Sequence, residues 1–246
     1  MDRAEYEKLD RSEELMWWFR ATHANLLLQY ERHAGEGLFL DAGCGTGGLL
    51  RRFAARHSRP AVGLDRDAVA CARAVFKSSR PVCVGSVNAL PFADAAFTTI
   101  VSADVLCHRD VDEAAALAQF HRCLKEQGVL ILNLPAYSWM LSRHDTAVAN
   151  VRRYTRRRVA RLLRRSGFRP LFLSYWNAIL FPLMVLTRKL LPGRETQSDV
   201  HLFPAPIEAL CRAATSCETA WLRQGFRLPF GGSLIAVAAR ENAGHA

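Results

Sequence analysis

Short apolar runs alternate along the chain with longer stretches in which apolar residues recur every three or four positions. The runs at 38–41, 61–65, 81–84, 97–102 and 129–134 have the length and the apolar character of buried strands. Between them, 47–57, 67–77 and 111–125 carry helical spacing. Thr46, Asp67 and Asp110 stand where side-chain caps would open those helices. Parallel strands need a crossover of a dozen or more residues, usually a helix. The alternation over 38–134 therefore predicts an α/β, doubly wound parallel sheet covered on both faces.

The flanks have a different pattern. Residues 12–34 read as one long amphipathic helix with an aromatic patch of Trp17, Trp18 and Phe19. Behind the block, the spacing predicts a helix over 156–166, a strand over 168–175, another helix over 207–223 and a last strand over 233–239. The uncharged stretch 171–187 falls short of the roughly 20 residues that span a bilayer, and Ser174, Asn177 and Pro182 interrupt it. It reads as a strand followed by an apolar helix that packs as a lid or lies on a membrane surface. Four units result: an N-terminal helical cap at 1–36, a nucleotide-binding core at 37–175, a helical lid insertion at 176–232, and a final strand and tail at 233–246.

With 246 residues, half of them hydrophobic, the chain can bury a full core. Its opening residues mix charges of both signs without an apolar h-region, which predicts a protein that is not secreted and stays in the cytoplasm. The 7 cysteines include no C-x-x-C pair, which suits free thiols and gives no metal site. The formal charge of +10 comes largely from arginine, concentrated in 151–169. That run suits either an anionic partner or a solvated helix face, since Val159, Leu162, Leu163 and Phe168 keep helical spacing within it.

The first predicted strand runs into "LDAGCGTGG". A glycine turn between a strand and a helix lets backbone approach a ligand and aims free N–H groups at it. Gly43, Gly45 and Gly48 even satisfy the dinucleotide spacing G-x-G-x-x-G, so spacing alone permits NAD or FAD. Two carboxylates change the picture. Asp41, two residues ahead of the first glycine, opposes a pyrophosphate and favours a cation. Asp65 ends the next strand, where it can accept hydrogen bonds from both hydroxyls of a ribose. The implied ligand is a nucleoside that carries positive charge.

These stretches, with "GSVNALPFADAAFTTIVSADVLCH" and "FHRCLKEQGVLILNLPAYS" after them, resemble class I S-adenosylmethionine-dependent methyltransferases over 38–138, in order and spacing. The resemblance implies a Rossmann-like sheet of seven strands, an N-terminal helix, a helical insertion before the last strand, and S-adenosyl-L-methionine as cofactor. It implies that Asp41, Gly43, Gly45 and Gly47 cradle the methionine part and that Asp65, with Arg66 beside it, holds the ribose. It places Val87 and Asn88 at the adenine edge, with Ser102 and Ala103 near the sulfonium. Asn88 stands where the family more often has aspartate, Thr98 replaces an acidic residue, and Gln127 replaces the first glycine of a Gly-Gly pair.

A further stretch, "HDTAVANVRRYT", is similar to a subgroup of bacterial methyltransferases of mostly unassigned substrate. Arg152, Arg153 and Tyr154 match that subgroup, whereas Asn150 stands in place of a second histidine. Its Trp-Trp-Phe, Tyr-x-Asn and Ser-Asp features would be Trp17, Trp18 and Phe19, then Tyr175 with Asn177, then Ser198 with Asp199. The catalytic candidates are His144, Asp145, His108 and Tyr154, against plainer readings as a loop turn, a strand end and a packed ring. Trp17, Trp18, Arg152, Arg153, Tyr175 and Asn177 are the candidates for holding the acceptor, the two arginines as a fork pair for a carboxylate or phosphate. The expected activity is methyl transfer to a small-molecule, natural-product or lipid-linked acceptor, anionic or amphiphilic, with peripheral membrane contact in the lipid version. A nucleic-acid methyltransferase is the alternative, but "NLPAY" at 133–137 follows the fifth strand rather than the fourth, so nucleic acid is not favoured. A non-catalytic scaffold that binds the cofactor is the third reading.

Overall fold

The computed structural model describes residues 3–190 and 202–241. In chain order the elements are α1 (Arg3–Ser12), α2 (Trp17–His33), β1 (Phe39–Ala42), α3 (Gly48–Arg56), β2 (Ala61–Asp65), α4 (Ala68–Ser78), β3 (Val82–Val84), β4 (Phe97–Ala103), α5 (Glu113–Cys123) and β5 (Leu124–Pro135). They continue with α6 (Arg143–Ala147), α7 (Arg156–Arg165), β6 (Phe168–Trp176), α8 (Phe181–Leu190), α9 (Ala205–Arg223) and β7 (Ser233–Arg240).

The strands form one 7-stranded sheet in the order β3-β2-β1-β4-β5-β7-β6, and β7 runs antiparallel to both β5 and β6. Neighbouring positions along each central strand serve opposite faces. Leu40, Leu130, Leu132, Leu234 and Ala236 join one core with Leu117 and Phe120 of α5 and Val159 and Leu163 of α7. Phe39, Val129, Ile131, Ile235 and Val237 join the other with Leu26 to Leu28 of α2, Phe53 of α3 and Leu222 of α9. Burial on both faces is why these strands read as continuous apolar runs. The strand order reverses between β1 and β4, which opens a crevice at the carboxyl ends of the strands, where open α/β sheets bind ligands.

Three expectations need correcting. The single helix expected over 12–34 begins only at Trp17, and a separate helix, α1, precedes it; Glu13 between the two is turned inward, its carboxylate buried and receiving Thr46, Gly48 and Lys77. Thr46 is therefore no cap; Gly47 takes the N-cap position of α3 with φ 90°, and the capping carboxylate comes from Glu13, 35 residues before Gly48. Asp112, not Asp110, caps α5 by accepting from Ala114 and Ala115 N–H. Asp67 does cap α4, accepting from Ala70 N–H.

The arginine run of α7 is largely a solvated helix face. Val159 and Leu163 are buried, Arg156, Arg157, Arg161, Arg164 and Arg165 are exposed, and Arg158 pairs with Glu113 at 2.8 Å while lying over the Tyr154 ring. No helix among the described residues is long and apolar enough to cross a membrane. Ser198 and Asp199 lie outside the described residues.

Candidate active site

A cavity of about 840 Å³ occupies the crevice at the carboxyl ends of β1 and β4, closed over by residues of α1, α2, α8 and α9. That is toward the upper end of the roughly 300–1,000 Å³ usual for ligand sites, room for a nucleoside cofactor and a second molecule.

One end is built from the glycine turn. Gly43 has φ 90°, and a Cβ there would run into Val105, so backbone alone forms this part of the wall. Gly47, also at φ 90°, does not line the cavity: its missing Cβ is filled by α4, with Ala74 Cα 2.7 Å from where that atom would stand. Gly47 thus serves helix packing, and Gly45 joins Gly43 at the cavity wall.

Asp65 Oδ2 accepts from Gly45 N–H at 2.9 Å, and Oδ1 accepts from Asp67 N–H at 3.1 Å and from the Tyr6 hydroxyl of α1 at 2.9 Å. Asp41 is buried, and its Oδ2 has no partner. Burial, with the charges of Asp65 and Glu13, pushes its carboxyl up to about 8. Glu13 Oε1 accepts from Thr46 at 2.6 Å and Oε2 from Gly48 N–H at 3.1 Å, so the start of α3 already holds a carboxylate. This end of the cavity therefore concentrates acidic groups around an unpaired one. Such a site calls for a cation and repels a pyrophosphate.

The next wall is formed by Gly85, Ser86 and Val87, with Val87 buried in the larger core. Asn88 does not line this cavity. Its amide donates to Asp110 carbonyl at 3.0 Å and accepts from Asp112 N–H at 3.1 Å, which fixes the turn ahead of α5. Arg66 reaches the same turn, pairing with Asp110 at 2.5 Å, and both line the cavity. Ser102 is buried between strands and donates to Ala42 carbonyl at 2.8 Å, leaving Ala103 as the lining residue.

The acceptor candidates separate sharply. Arg153 and Asp145 form a buried bidentate pair at 2.9 Å, and Asp145 also accepts from Ser142 N–H and hydroxyl. Both Asp145 oxygens are thereby committed, and Arg153, which also donates to Ala136 carbonyl, reaches the cavity wall with its fork already used. Arg152 donates to the His108 and Val111 carbonyls at 2.5 and 2.6 Å and lies off the cavity. The fork pair expected to receive an anion is thus taken up by the protein itself.

Tyr154 is buried, with its hydroxyl on Leu106 carbonyl at 2.9 Å, and is a core ring rather than a catalytic group. Tyr175 stacks on Tyr137 and accepts from Arg156 N–H at 3.0 Å, again off the cavity. His144 belongs to α6; its side chain lies outside the described residues. His108 does line the cavity, Nδ1 buried without a partner and the imidazole held neutral because burial lowers its pKa. Trp17, Trp18 and Asn177 line it too; Trp18 stacks on Trp176 with centroids 6.3 Å apart.

Two lining residues escape the sequence reading. Glu13 looks like one charge in a charged segment. Asp104 gives a usable signal, since it follows β4 directly as Asp41 and Asp65 close β1 and β2. Among the described residues no cluster of His, Cys, Asp and Glu could hold a metal ion.

Residues 40–132 match the family model of the methyltransferase domain. No curated protein matches the chain. Among solved structures, the chain is similar to a protein from Haloferax volcanii described as a methyltransferase and solved with a methyltransferase activator, with 17% identity, TM-score 0.64, and 99% and 96% of the two chains covered. It is similar to the cyclase SpnF, with 22% identity, TM-score 0.61, and 91% and 83% covered. It is also similar to a geranyl diphosphate C-methyltransferase from Streptomyces coelicolor A3(2), solved with Mg²⁺, a substrate analogue and S-adenosyl-L-homocysteine, with 16% identity, TM-score 0.57, and 87% and 75% covered. At these identities the structures speak for the fold alone. The sheet order and the matched segment together define the class: the chain has the Rossmann-like methyltransferase fold, and its residues 40–132 match a methyltransferase domain.

Proposed function

We propose that the protein transfers a methyl group from S-adenosyl-L-methionine to a small amphiphilic molecule. The observation that carries this reading is the pairing, in one cavity, of an acidic glycine-turn end with an apolar roof. The residues fit the cofactor: Asp41 Oδ2 is a buried acceptor without a partner, suited to the ammonium of the methionine part, and Asp65 suits the ribose. Gly43, Gly45 and Val87 would line its length. When bound, the cofactor supplies a methyl group activated by a sulfonium.

The chain's own part is to bind, align and exclude water. Leu183 and Met184 of α8 with Ile207 of α9 give the second molecule apolar walls. Asp104 and His108, which follow β4, are lining groups able to take a proton from an acceptor that arrives protonated. The commitment of Arg152 and Arg153 to internal partners favours an amphiphilic acceptor over a strongly anionic one. Calorimetric titration with S-adenosyl-L-homocysteine tests the reading. Binding that weakens in Asp65→Ala, with none of NADH, is expected; binding of NADH, or of neither, would overturn it.

A further inference from the structure

The wall of the cavity beyond Ala103 carries a hydrogen-bond chain that leads from the sheet to an unfilled acceptor. Trp176 Nε1 donates to Asn133 Oδ1 at 2.8 Å, and Asn133 Nδ2 donates to Asp104 Oδ2 at 2.7 Å. An indole N–H can only donate, so it fixes which way the Asn133 amide points. Asp104 Oδ2 must then be the acceptor of that bond, which leaves Oδ1 as the oxygen turned to other partners. The backbone holds the same residue from below: Asp104 N–H donates to Asn133 carbonyl at 2.9 Å, with Asp104 at φ 53°, a left-handed conformation that aspartate tolerates better than most. Asp104 Oδ1 has no partner among the described residues, and Asp104 lines the cavity.

Asn177, one residue past Trp176, brings a second acceptor to the cavity: it too lines the wall, and its Oδ1 is buried and unpartnered. Of the cations that line the cavity, Arg153 is bound at 2.9 Å to Asp145 and Arg66 pairs with Asp110, while Arg188 lines it from α8. The roof is largely apolar, built from Leu180, Leu183, Met184 and Ile207, with Thr187 and Arg188 of α8 also lining the cavity. The free Asp104 oxygen, a neighbouring amide, a spent Arg153 and largely apolar walls define what can sit here. A carboxylate head would leave the Asp104 oxygen unsatisfied and add a like charge; one that donates would satisfy it.

We propose that this wall receives an acceptor with an apolar body and a hydrogen-donating head, an alcohol, phenol or amine, held by Asp104 Oδ1 with Asn177 beside it, and that it rejects a carboxylate head. The inference rests on the reading of the cavity as a methyltransferase site and supplies the class of its second ligand. Desolvation raises the Asp104 carboxyl to about 7, against the Asn133 hydrogen bond and the charge of Arg153, so the ionised group can accept the head group's hydrogen and is basic enough to take it as a proton.

The test uses the full chain saturated with S-adenosyl-L-homocysteine and titrated calorimetrically with three probes of one body: para-pentylphenol, para-pentylbenzylamine and para-pentylbenzoate. The phenol and the amine are expected to bind at least about tenfold more tightly than the benzoate, the size of one hydrogen bond to a charged group. Asp104→Asn, which can still accept from Asn133, is expected to lose most of that preference while binding S-adenosyl-L-homocysteine as the wild type does. Benzoate binding as tightly as the phenol, no binding of any probe to the wild type, or an unchanged order in the variant would each overturn the proposal. The wild-type ranking stands without the variant. Failure of S-adenosyl-L-homocysteine itself to bind would instead remove the cofactor reading beneath it.

Discussion

The unpaired carboxyl of Asp41 makes cofactor binding depend on pH in a direction that can be worked out. In the ligand-free protein burial, then Asp65 and Glu13, hold the group at about 8, far above the ordinary 3.8 of an aspartate. A cationic ligand needs the ionised form, so binding at pH 7 must first expel a proton. At 1.36 kcal/mol per unit this costs about 1.4 kcal/mol at pH 7 and about 2.7 kcal/mol at pH 6. Affinity for S-adenosyl-L-homocysteine should therefore rise about tenfold from pH 6 to pH 7 and then level off above pH 8. Calorimetry in buffers of different ionisation enthalpy should show close to one proton released at pH 6.5. Asp41→Asn removes the titrating group, so its affinity should be flat over this range; a charge-assisted hydrogen bond is worth roughly 1.5–3 kcal/mol, so the variant should lag the wild type at pH 8 and approach it near pH 6. Affinity that is independent of pH in the wild type, or a slope that survives in Asp41→Asn, would refute the reasoning.

Other outcomes follow from the same contacts. Removing the uncompensated carboxyl should also raise the thermal stability of ligand-free Asp41→Asn at pH 8, seen as a higher Tm. Arg153→Met strands Asp145 as a buried unpaired charge and should cost about 3–5 kcal/mol in denaturant unfolding, with much of it recovered in the double variant Asp145→Asn, Arg153→Met. Gly47→Ala forces a Cβ onto Ala74 at a left-handed φ and should destabilise by about 1–3 kcal/mol, while the folded protein binds S-adenosyl-L-homocysteine unchanged because the residue does not line the cavity. Tyr6→Phe takes one donor from Asp65 and should lower stability by about 1 kcal/mol without abolishing ligand binding, since ribose hydroxyls can occupy the freed acceptor position.

Much of the binding end was legible because it is local in sequence. Asp41, Gly43, Gly45 and Asp65 sit within strands and turns whose positions follow from periodicity, and a carboxylate at a strand end needs no knowledge of distant chain to be placed at the crevice. The candidates that failed to reach the cavity share the opposite property. Asn88, Arg152 and Tyr154 carry suitable chemistry, but each spends it on a backbone partner in another segment, Asp110, His108 and Leu106 respectively. Asp145 had the right residue type and a buried arginine as its partner. The break between α1 and α2 was hidden for the same reason: Glu13 leaves a helical pattern to cap a helix 35 residues away.

Hydrophobic periodicity and backbone conformation are short-range properties, so the alternation of strands and helices over 38–134, the doubly wound sheet and the acidic glycine turn could be read from the sequence alone. The tertiary structure decided which polar groups remain free to meet a ligand. Asp41, Asp104 and Asn177 keep an unpartnered oxygen at the cavity, while the arginines expected there are paired within the fold. A side chain's chemistry is available only after the fold has filled its nearer hydrogen-bonding demands, and those partners come from segments that no local pattern connects.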